Sequence, residues 1–185
     1  MKVFRGFSYD VPRGPCALTI GNFDGVHRGH MVLLAQLREA ADRLHLPAAV
    51  LTFSPHPRQY FAFQSDKSVT APATITPLRE KIQALSQCGV DQVTIAHFDH
   101  LTASLTAEQF IEQILVRALD VKWLIIGEKF RFGKGRLGTT DMLKEAGNKY
   151  GFHVEILPAV NDENGRISSS CIRKALEESD FPKVA

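Results

Sequence analysis

Residues 16–30, CALTIGNFDGVHRGH, decide how this sequence is interpreted. The run begins with apolar, strand-forming residues, and the apolar residues from 30 to 44 recur at helical spacing. The pattern predicts a strand (16–23), a loop and a helix (30–44). A loop that follows a strand in an open α/β sheet is a frequent place for ligands to bind.

Two histidines stand where this helix is expected to begin. His27 and His30 are three residues apart, so their rings are expected to face the same point above the sheet. Gly29 removes a side chain where a phosphate would need to approach, and the first turn of a helix presents unpaired N–H groups. Asp24 is a turn residue that can bond neighbouring backbone amides. The segment therefore predicts a phosphate-binding loop with two ring donors.

The same histidines have other interpretations. They can be an incidental pair or two ligands of a metal ion. A structural zinc would require two more ligands, and no convincing ones stand nearby. Cys16, Cys88 and Cys171 are far apart and lack CxxC spacing, so they indicate neither a zinc site nor a disulfide framework. The surrounding glycines and the position after a first strand favour the phosphate site.

The composition is that of a globular domain. The 185 residues are 44% hydrophobic and 23% charged, which excludes a disordered or fibrous class. The 22 basic and 20 acidic residues are too evenly balanced to demand a nucleic-acid or membrane partner. No apolar run approaches a signal peptide or the roughly 20 residues of a membrane span. We therefore expect a cytoplasmic protein with one domain over residues 1–185 and with neither of those partners.

Predicted strands and helices alternate along the chain. The strands are residues 16–23, 48–53, 92–96, 123–126 and 152–157, and the helices are residues 30–44, 78–88, 106–119 and 139–150. This order predicts an α/β fold: a single Rossmann-like parallel sheet with helices on both faces. Residues 54–76 and 128–138 are predicted to be loops that follow strands.

Three serines precede a further predicted helix, which runs through Ile172, Ala175 and Leu176. Ser168, Ser169 and Ser170 can cap that helix and can also direct hydroxyl and N–H groups at a triphosphate. Capping alone needs only one of them. Because Arg166 and Arg173 stand on either side, an anion site is favoured over a plain helix cap.

Four segments, taken together, resemble the bacterial FAD synthetase family of the HxGH nucleotidyltransferase superfamily. They are GNFDGVHRGH (21–30), TFSPHP (52–57), IGEKFRFGKGRLG (126–138) and RISSSCIR (166–173), and they stand in the family's order. The resemblance implies a nucleotidyltransferase fold and FMN adenylyltransferase activity, with ATP and FMN as substrates, FAD and pyrophosphate as products, and Mg²⁺ bridging phosphates. It also implies direct in-line attack of the FMN phosphate on the α-phosphorus of ATP.

The resemblance also implies roles for individual residues. The catalytic residues are His27, His30 and Arg173. The residues implied for ATP are Gly21, Asn22, Phe23, Asp24, Gly25, Gly29, Gly127, Arg166, Ser168, Ser169 and Ser170. The residues implied for the flavin are Pro55, His56, Pro57, Phe61, Phe130 and Phe132. It assigns no metal ligands.

The two predicted loops have physical interpretations of their own. Prolines around His56 hold the chain extended, and the rings that follow can stack on an isoalloxazine or simply close the core under a long loop. Residues 133–138, GKGRLG, fit the dinucleotide pattern GxGxxG, but they do not follow their strand at once, and Walker-loop spacing also fails. They are interpreted as part of a basic loop that receives FMN, in which Arg131, Lys134 and Arg136 can neutralise the negative charge of a phosphate.

Lys129 departs from the family pattern, which usually has Asp or Asn at this position. The departure keeps open a flavin- or nucleotide-binding module with weakened catalysis. A related adenylyl- or cytidylyltransferase is the other alternative, although TFSPHP and FRFG argue against it. Bacterial members usually carry a riboflavin kinase module after the adenylyltransferase, and we expect that module to be absent from these 185 residues and riboflavin not to be converted to FMN.

Overall fold

A six-stranded sheet, parallel throughout, forms the centre of the protein. The computed structural model describes residues 1–7, 13–64, 71–162 and 165–180, without the side chains of residues 161–166. The strands of this sheet are β1 (Lys2–Arg5), β2 (Cys16–Ile20), β3 (Ala48–Ser54), β4 (Gln92–His97), β5 (Val121–Gly127) and β6 (His153–Leu157). They lie in the order β1-β4-β3-β2-β5-β6, which confirms the predicted Rossmann-like parallel sheet.

Helices connect most of the strands. They are α1 (Arg28–Leu44), α2 (Pro57–Gln64), α3 (Leu78–Gln87), α4 (His100–Ser104), α5 (Ala107–Gln109), α6 (Thr140–Tyr150) and α7 (Ser169–Glu177). α5 continues directly into a π-helical segment, Phe110–Ala118, and a short antiparallel hairpin pairs β7 (Asn161–Asp162) with β8 (Gly165–Arg166). Within the described ranges no helix is both long and apolar enough to cross a membrane.

Successive side chains of β2 enter two different buried clusters, because side chains alternate along a strand. Leu18 and Ile20 pack with the π-helical segment and α6, whereas Ala17 packs with α1 and α3. On the second face, Leu34 and Leu37 of α1 and Leu85 of α3 are almost completely buried. The predicted placement of helices on both faces is therefore confirmed.

The order of the strands reverses at the centre of the sheet. β2 is followed in the chain by β3 and β4 on one side, while β5 and β6 lie on its other side. The loops that leave β2 and β5 therefore diverge to opposite faces, and a crevice opens between them at the carboxyl ends of the strands. The histidine-containing loop after β2 lies at this position.

The prediction of a continuous loop over residues 54–76 was wrong for the part that forms α2. Pro57 is the first residue of that helix, where the missing N–H of proline costs nothing and its fixed φ fits the helix. We had predicted that the prolines around His56 hold the chain extended. Residues 71–77 lead into α3 without regular structure, and residues 65–70 lie outside the described residues.

β1 was not predicted. It is a short edge strand with three exposed residues, so it lacks the apolar alternation that marks a half-buried strand. Arg13 helps to fix it: the guanidinium donates hydrogen bonds to the carbonyl oxygen of Gly6 (2.6 Å) and to Thr94 Oγ1, and it lies over the ring of Phe4. The pairing of β1 with β4 therefore depends on a contact made by a residue beyond the strand itself.

Candidate active site

A cavity of about 810 Å³ lies at the carboxyl ends of the strands, at the point where the strand order reverses. Its walls come from the loops after β2, β3 and β5 and from the start of α7. The predicted site residues that line it are Gly21, Asn22, Phe23, His27, Gly29, His30, His56, Pro57, Phe61, Gly127, Phe130, Phe132, Ser168, Ser169, Ser170 and Arg173. Segments far apart in the sequence thus meet at one place.

Four predicted site residues are not among those that line the cavity. Asp24 and Gly25 lie in the loop after β2 behind the cavity wall, and Pro55 lies at the end of β3. The backbone of Arg166 belongs to β8, and its side chain lies outside the described residues. The roles predicted for these four residues remain predictions.

The two histidines are brought together by the start of α1. His27 is the N-cap of the helix, and its Nδ1 accepts a hydrogen bond from the His30 amide (3.3 Å). The two rings are stacked, with centroids 3.6 Å apart and planes inclined by 16°. A Cβ on Gly29 would lie 3.2 Å from His27 Nδ1, so a larger residue there would press on the ring.

His30 is held as a neutral imidazole. Burial and then the nearby charge of His27 lower its pKa to about 3, although Asp24 opposes this change. Its Nδ1 is buried and has no hydrogen-bond partner among the described residues, and the same is true of Asn22 Oδ1. Buried polar atoms normally have partners. Since both residues line the cavity, a bound ligand is a natural partner for them.

Phe23 supports this arrangement from below. Its ring is completely buried, and its centroid lies 4.9 Å from that of His30. A Cβ on Gly21 would lie only 3.0 Å from the Phe23 ring, so the absence of a side chain at Gly21 makes room for it. Phe23 also has a φ of 48°, a left-handed conformation that is uncommon for a bulky residue. The loop therefore contains a strained backbone conformation at Phe23, and this conformation holds the Phe23 ring against the histidine pair.

Asp24 links three separate parts of the chain. Its carboxylate accepts hydrogen bonds from the amides of Ile75 (3.0 Å) and Thr76 (3.1 Å) and pairs with the Arg173 guanidinium, while its carbonyl oxygen accepts from Ser169 Oγ (2.8 Å). Burial tends to raise the pKa of the carboxyl group, but these hydrogen bonds and the charge of Arg173 lower it overall. We had predicted that Asp24 bonds neighbouring backbone amides, but the amides that its carboxylate accepts from are 51 and 52 positions away in the chain.

Arg173 is fixed beside the cavity by this network. Its Nε donates to the carbonyl oxygen of Ala73 (2.7 Å), and one of its terminal nitrogens pairs with Asp24. The side chain is only 13% exposed, yet the residue lines the cavity. A guanidinium held in this way is positioned before any anion arrives.

The three serines lie at the start of α7, with Ser168 before the helix and Ser169 and Ser170 as its first two residues. Ser168 is the N-cap, and its Oγ accepts from the Cys171 amide (3.3 Å). Ser169 docks the helix onto the loop after β2 through Asp24, and Ser170 is exposed where the cavity opens. Capping thus occupies one serine, as predicted, and all three serines at the start of α7 line the cavity.

Aromatic rings gather at the other end of the cavity. Phe61 of α2 and Phe53 at the end of β3 both contact Phe98, with ring centroids 5.8 and 5.7 Å apart, and Tyr60 lies 5.4 Å from the same ring. Phe61 is 54% exposed, so part of its surface remains available to a ligand. We had not identified Phe53 and Phe98 as site residues. Their positions at the ends of β3 and β4 were the signal that could have found them.

The loop after β5 contributes two rings to the cavity lining, and one of them is also part of the core. Phe132 is only 6% exposed and packs against Phe110 (5.4 Å), while Phe130 lies nearly parallel to it (5.7 Å, 17°). A Cβ on Gly138 would lie 2.8 Å from the Phe132 ring. Phe132 therefore supports Phe130, and Phe130 is the more accessible of the two rings predicted for the flavin.

The charge of the lining is predominantly positive. The cations along it are Arg58, Lys129, Arg131, Arg136 and Arg173. Among the described residues that line the cavity, Glu128 is the only acidic one. No group of three or more His, Cys, Asp or Glu in the described part of the chain is arranged to hold a metal ion. The cavity is therefore suited to an anionic ligand with a planar aromatic part.

The fold and the site define a class: an α/β protein with a nucleotidyltransferase-like fold and an HxGH loop after β2. A crystal structure of a macrolide-efflux protein from Streptococcus pneumoniae shares the fold with a TM-score of 0.84 and 27% identity, over 100% of this chain and 60% of that one. The FAD synthetase family model matches residues 11–171. The chain belongs to the FAD synthetase family.

Curated relatives match almost all of the chain. The bifunctional riboflavin kinase/FMN adenylyltransferase of Escherichia coli (strain K12) is 45% identical over 183 residues, which are 98% of this chain and 57% of the relative. The protein of the same name from Haemophilus influenzae is 48% identical, over 98% of this chain and 58% of the relative. The chain thus spans somewhat less than three fifths of the length of these relatives.

Proposed function

We propose that this chain transfers the adenylyl group of ATP to FMN, producing FAD and pyrophosphate. The observation that carries the proposal is the stacked His27–His30 pair, which lies in the same cavity as the aromatic rings and the cationic lining. The starts of α1 and α7 offer hydrogen-bond donors and the cation Arg173, and we call this region the phosphate end. α2 and the loop after β5 offer rings with cations next to them, and we call this region the aromatic end. FMN and ATP both combine a planar ring system with phosphate, so the two substrates match the two kinds of wall.

The phosphate end is formed by the starts of two helices. The N-terminal ends of α1 and α7 carry the partial positive charge of the helix dipole, which favours negative charge nearby. Arg173 supplies a fixed guanidinium between them, held by Asp24. We assign the triphosphate of ATP to this end and the leaving pyrophosphate to Arg173.

The aromatic end is assigned to the flavin. Phe61 and Phe130 present the accessible rings, and Phe53 and Phe98 support Phe61. His56 lines the cavity directly before α2, and burial and then the charge of Arg173 lower its pKa to about 4. A neutral His56 near the charge of Arg173 is suited to a hydrogen bond with the FMN phosphate. Pro57, the first residue of α2, also lines the cavity and is assigned to the flavin.

The chemical step needs no general base. The second pKa of a phosphate monoester is about 6, so the FMN phosphate is already anionic near neutral pH. One of its oxygens attacks the α-phosphorus of ATP, a new P–O bond forms, and the bond to the pyrophosphate oxygen breaks. The protein contributes alignment of the two substrates and donors that neutralise charge developing on the α-phosphate, which is the task of His27 and His30.

Mg²⁺ fits this proposal as a ligand of the ATP phosphates. Glu128 is the only carboxylate among the described residues that line the cavity, and Mg²⁺ commonly keeps its waters and binds substrate phosphates with one or two carboxylates. When bound, the ion would neutralise phosphate charge and favour departure of pyrophosphate. The residues of this chain would position the phosphates around it.

The experiment that tests the proposal follows the labelled phosphorus of ATP. With [α-³²P]ATP and FMN the label is expected in FAD, and with [γ-³²P]ATP it is expected only in pyrophosphate. Label transfer to another acceptor, such as nicotinamide mononucleotide or pantetheine phosphate, in place of FMN would favour a related nucleotidyltransferase. Binding of FMN and ATP without any transfer would favour a flavin- and nucleotide-binding module, to which the cation at Lys129 already points.

A further inference from the structure

Lys81 is a buried cation beside the phosphate end of the cavity. It lies on the inner face of α3, one turn before the buried Leu85, and is only 6% exposed. The residues just before α3 are those whose amides bond the Asp24 carboxylate. Lys81 thus lies close enough to Asp24 to feel its charge and, like Asp24, does not itself line the cavity.

This position is unfavourable for a lysine in two ways. Burial removes water from the ammonium group and lowers its pKa, an effect that Asp24 only partly opposes. The residue also lies near the start of a helix, where the helix dipole disfavours positive charge. Within the described residues no carboxylate forms an ion pair with it. The fold therefore carries a cation whose charge is incompletely balanced.

The single carboxylate of Asp24 cannot neutralise both Arg173 and Lys81. Its carboxylate already accepts from the amides of Ile75 and Thr76 and from Arg173, which leaves little capacity for another donor. Two buried cations, Arg173 and Lys81, therefore share one buried anion. The other titratable groups near Lys81 are His30 and His56, both held neutral, and the charge of Lys81 is among the causes that lower the pKa of each. A bound anion would neutralise the remaining positive charge.

We propose that Lys81 provides through-space positive charge that binds and positions phosphate groups in the cavity, without lining it. The inference rests on the proposed function for the identity of the ligand, a nucleoside triphosphate or its pyrophosphate product. Lys81 is a positioning residue: it acts across Asp24 and the histidine pair. Asp24 neutralises the charge of Arg173, with which it pairs. The additional positive charge of Lys81 would explain why the site still attracts an anion.

The test measures binding of inorganic pyrophosphate and of riboflavin, a ligand without phosphate, by calorimetry. Lys81→Gln and Lys81→Met are expected to weaken pyrophosphate binding about tenfold or more, the effect of one charge at several ångströms in a partly screened site, while riboflavin binding changes less than about twofold. Lys81→Arg is expected to keep most of the affinity for pyrophosphate. Lys174→Gln, which alters an exposed lysine of α7, serves as the matched control and should change neither affinity.

Three results would overturn the inference: unchanged pyrophosphate binding in the neutral variants, equal loss of both ligands, or failure of Lys81→Arg to retain affinity. If the neutral variants do not fold, NMR of the parent protein can still test whether Lys81 responds to a bound anion. Pyrophosphate should then shift the Lys81 side-chain amine signal, assigned with Lys81→Arg, and riboflavin should not. Because pyrophosphate binding needs no turnover, a chain that failed to make FAD would refute the proposed function and leave this inference to be judged separately.

Discussion

The imidazole rings of His27 and His30 are stacked 3.6 Å apart, so protonation of one ring opposes protonation of the other. Burial and this proximity lower the pKa of His30 to about 3, whereas an unfolded chain has a histidine pKa near 6.5. Above pH 6.5, His30 is neutral in both the folded and the unfolded protein. As the pH falls from about 6.5 towards 3, only the unfolded chain binds the proton, so the free energy of unfolding should decrease.

His30→Gln removes that linkage. The variant is expected to lose less stability between pH 7 and pH 5 than the parent protein, because it no longer has a buried ring that resists protonation. Urea unfolding at several pH values measures the difference. Equal losses in the parent and the variant would show that His30 titrates in the folded protein as it does in the unfolded chain.

The ion pair between Asp24 and Arg173 should matter for both stability and catalysis. Their side chains are 4% and 13% exposed, and Asp24→Asn would leave a buried guanidinium without its anion, a change that typically costs about 3–5 kcal/mol. The rate of FAD formation should fall as well, because Arg173 would lose its orientation. Unfolding and steady-state kinetics measure the two effects.

Asp42→Asn is the matched control for this pair. Asp42 is 67% exposed and pairs with Arg38 on the surface of α1, where an ion pair contributes about 0–1 kcal/mol. If both variants lost the same small amount of stability, the central role given to Asp24 would be wrong.

Gly127 should be needed for substrate binding and not for the stability of the fold. It is the last residue of β5 and lines the cavity, and a Cβ there would meet nothing within 4 Å. Gly127→Ala is expected to leave the free energy of unfolding within about 1 kcal/mol of the parent and to lower kcat/KM about tenfold or more through misplacement of the substrate.

Gly147→Ala should show the opposite pattern. A Cβ at Gly147 would overlap the carbonyl oxygen of Phe152 in the core, so this variant should be clearly less stable. Full activity of Gly127→Ala would indicate that no substrate approaches β5 closely.

Lys129 should oppose metal-bound ATP. It is exposed on the cavity lining, so its charge repels a nearby Mg²⁺ ion. Lys129→Asn is expected to reduce the Mg²⁺ concentration needed for half-maximal rate by about threefold or more. Lys134→Asn, in the same loop but outside the lining, should not change it. An equal effect of both substitutions would mean that only the overall charge of the loop matters.

Local spacing was sufficient to predict the histidine pair and the cap of α7. His27 and His30 belong to one helical turn, and Ser168 needs only the helix that follows it. The sheet was predictable because its central strands are continuous apolar runs that alternate with helices. Sequence reasoning therefore recovered those elements whose signal lies within a few residues.

The remaining features depend on contacts between distant residues. Asp24 and Arg173 are 149 positions apart, and their pairing is decided by how α7 packs onto the loop after β2. Phe98 became part of the aromatic end because β4 lies beside β3, and Lys81 looked like an ordinary charged residue on a helix until its burial was known. No local pattern distinguishes Lys81 or the Asp24–Arg173 pair from their neighbours, whereas Phe98 could have been found from its position just after a predicted strand.

The most direct measurement is FAD formation by the purified chain with ATP, Mg²⁺ and FMN, compared with His30→Ala. The account predicts FAD and pyrophosphate in equal amounts, and a loss of about 10²-fold in turnover for the variant, as expected for removal of one preorganised donor. A folded parent protein that binds both substrates but forms no FAD, or a variant that turns over within a few-fold of the parent, would contradict it.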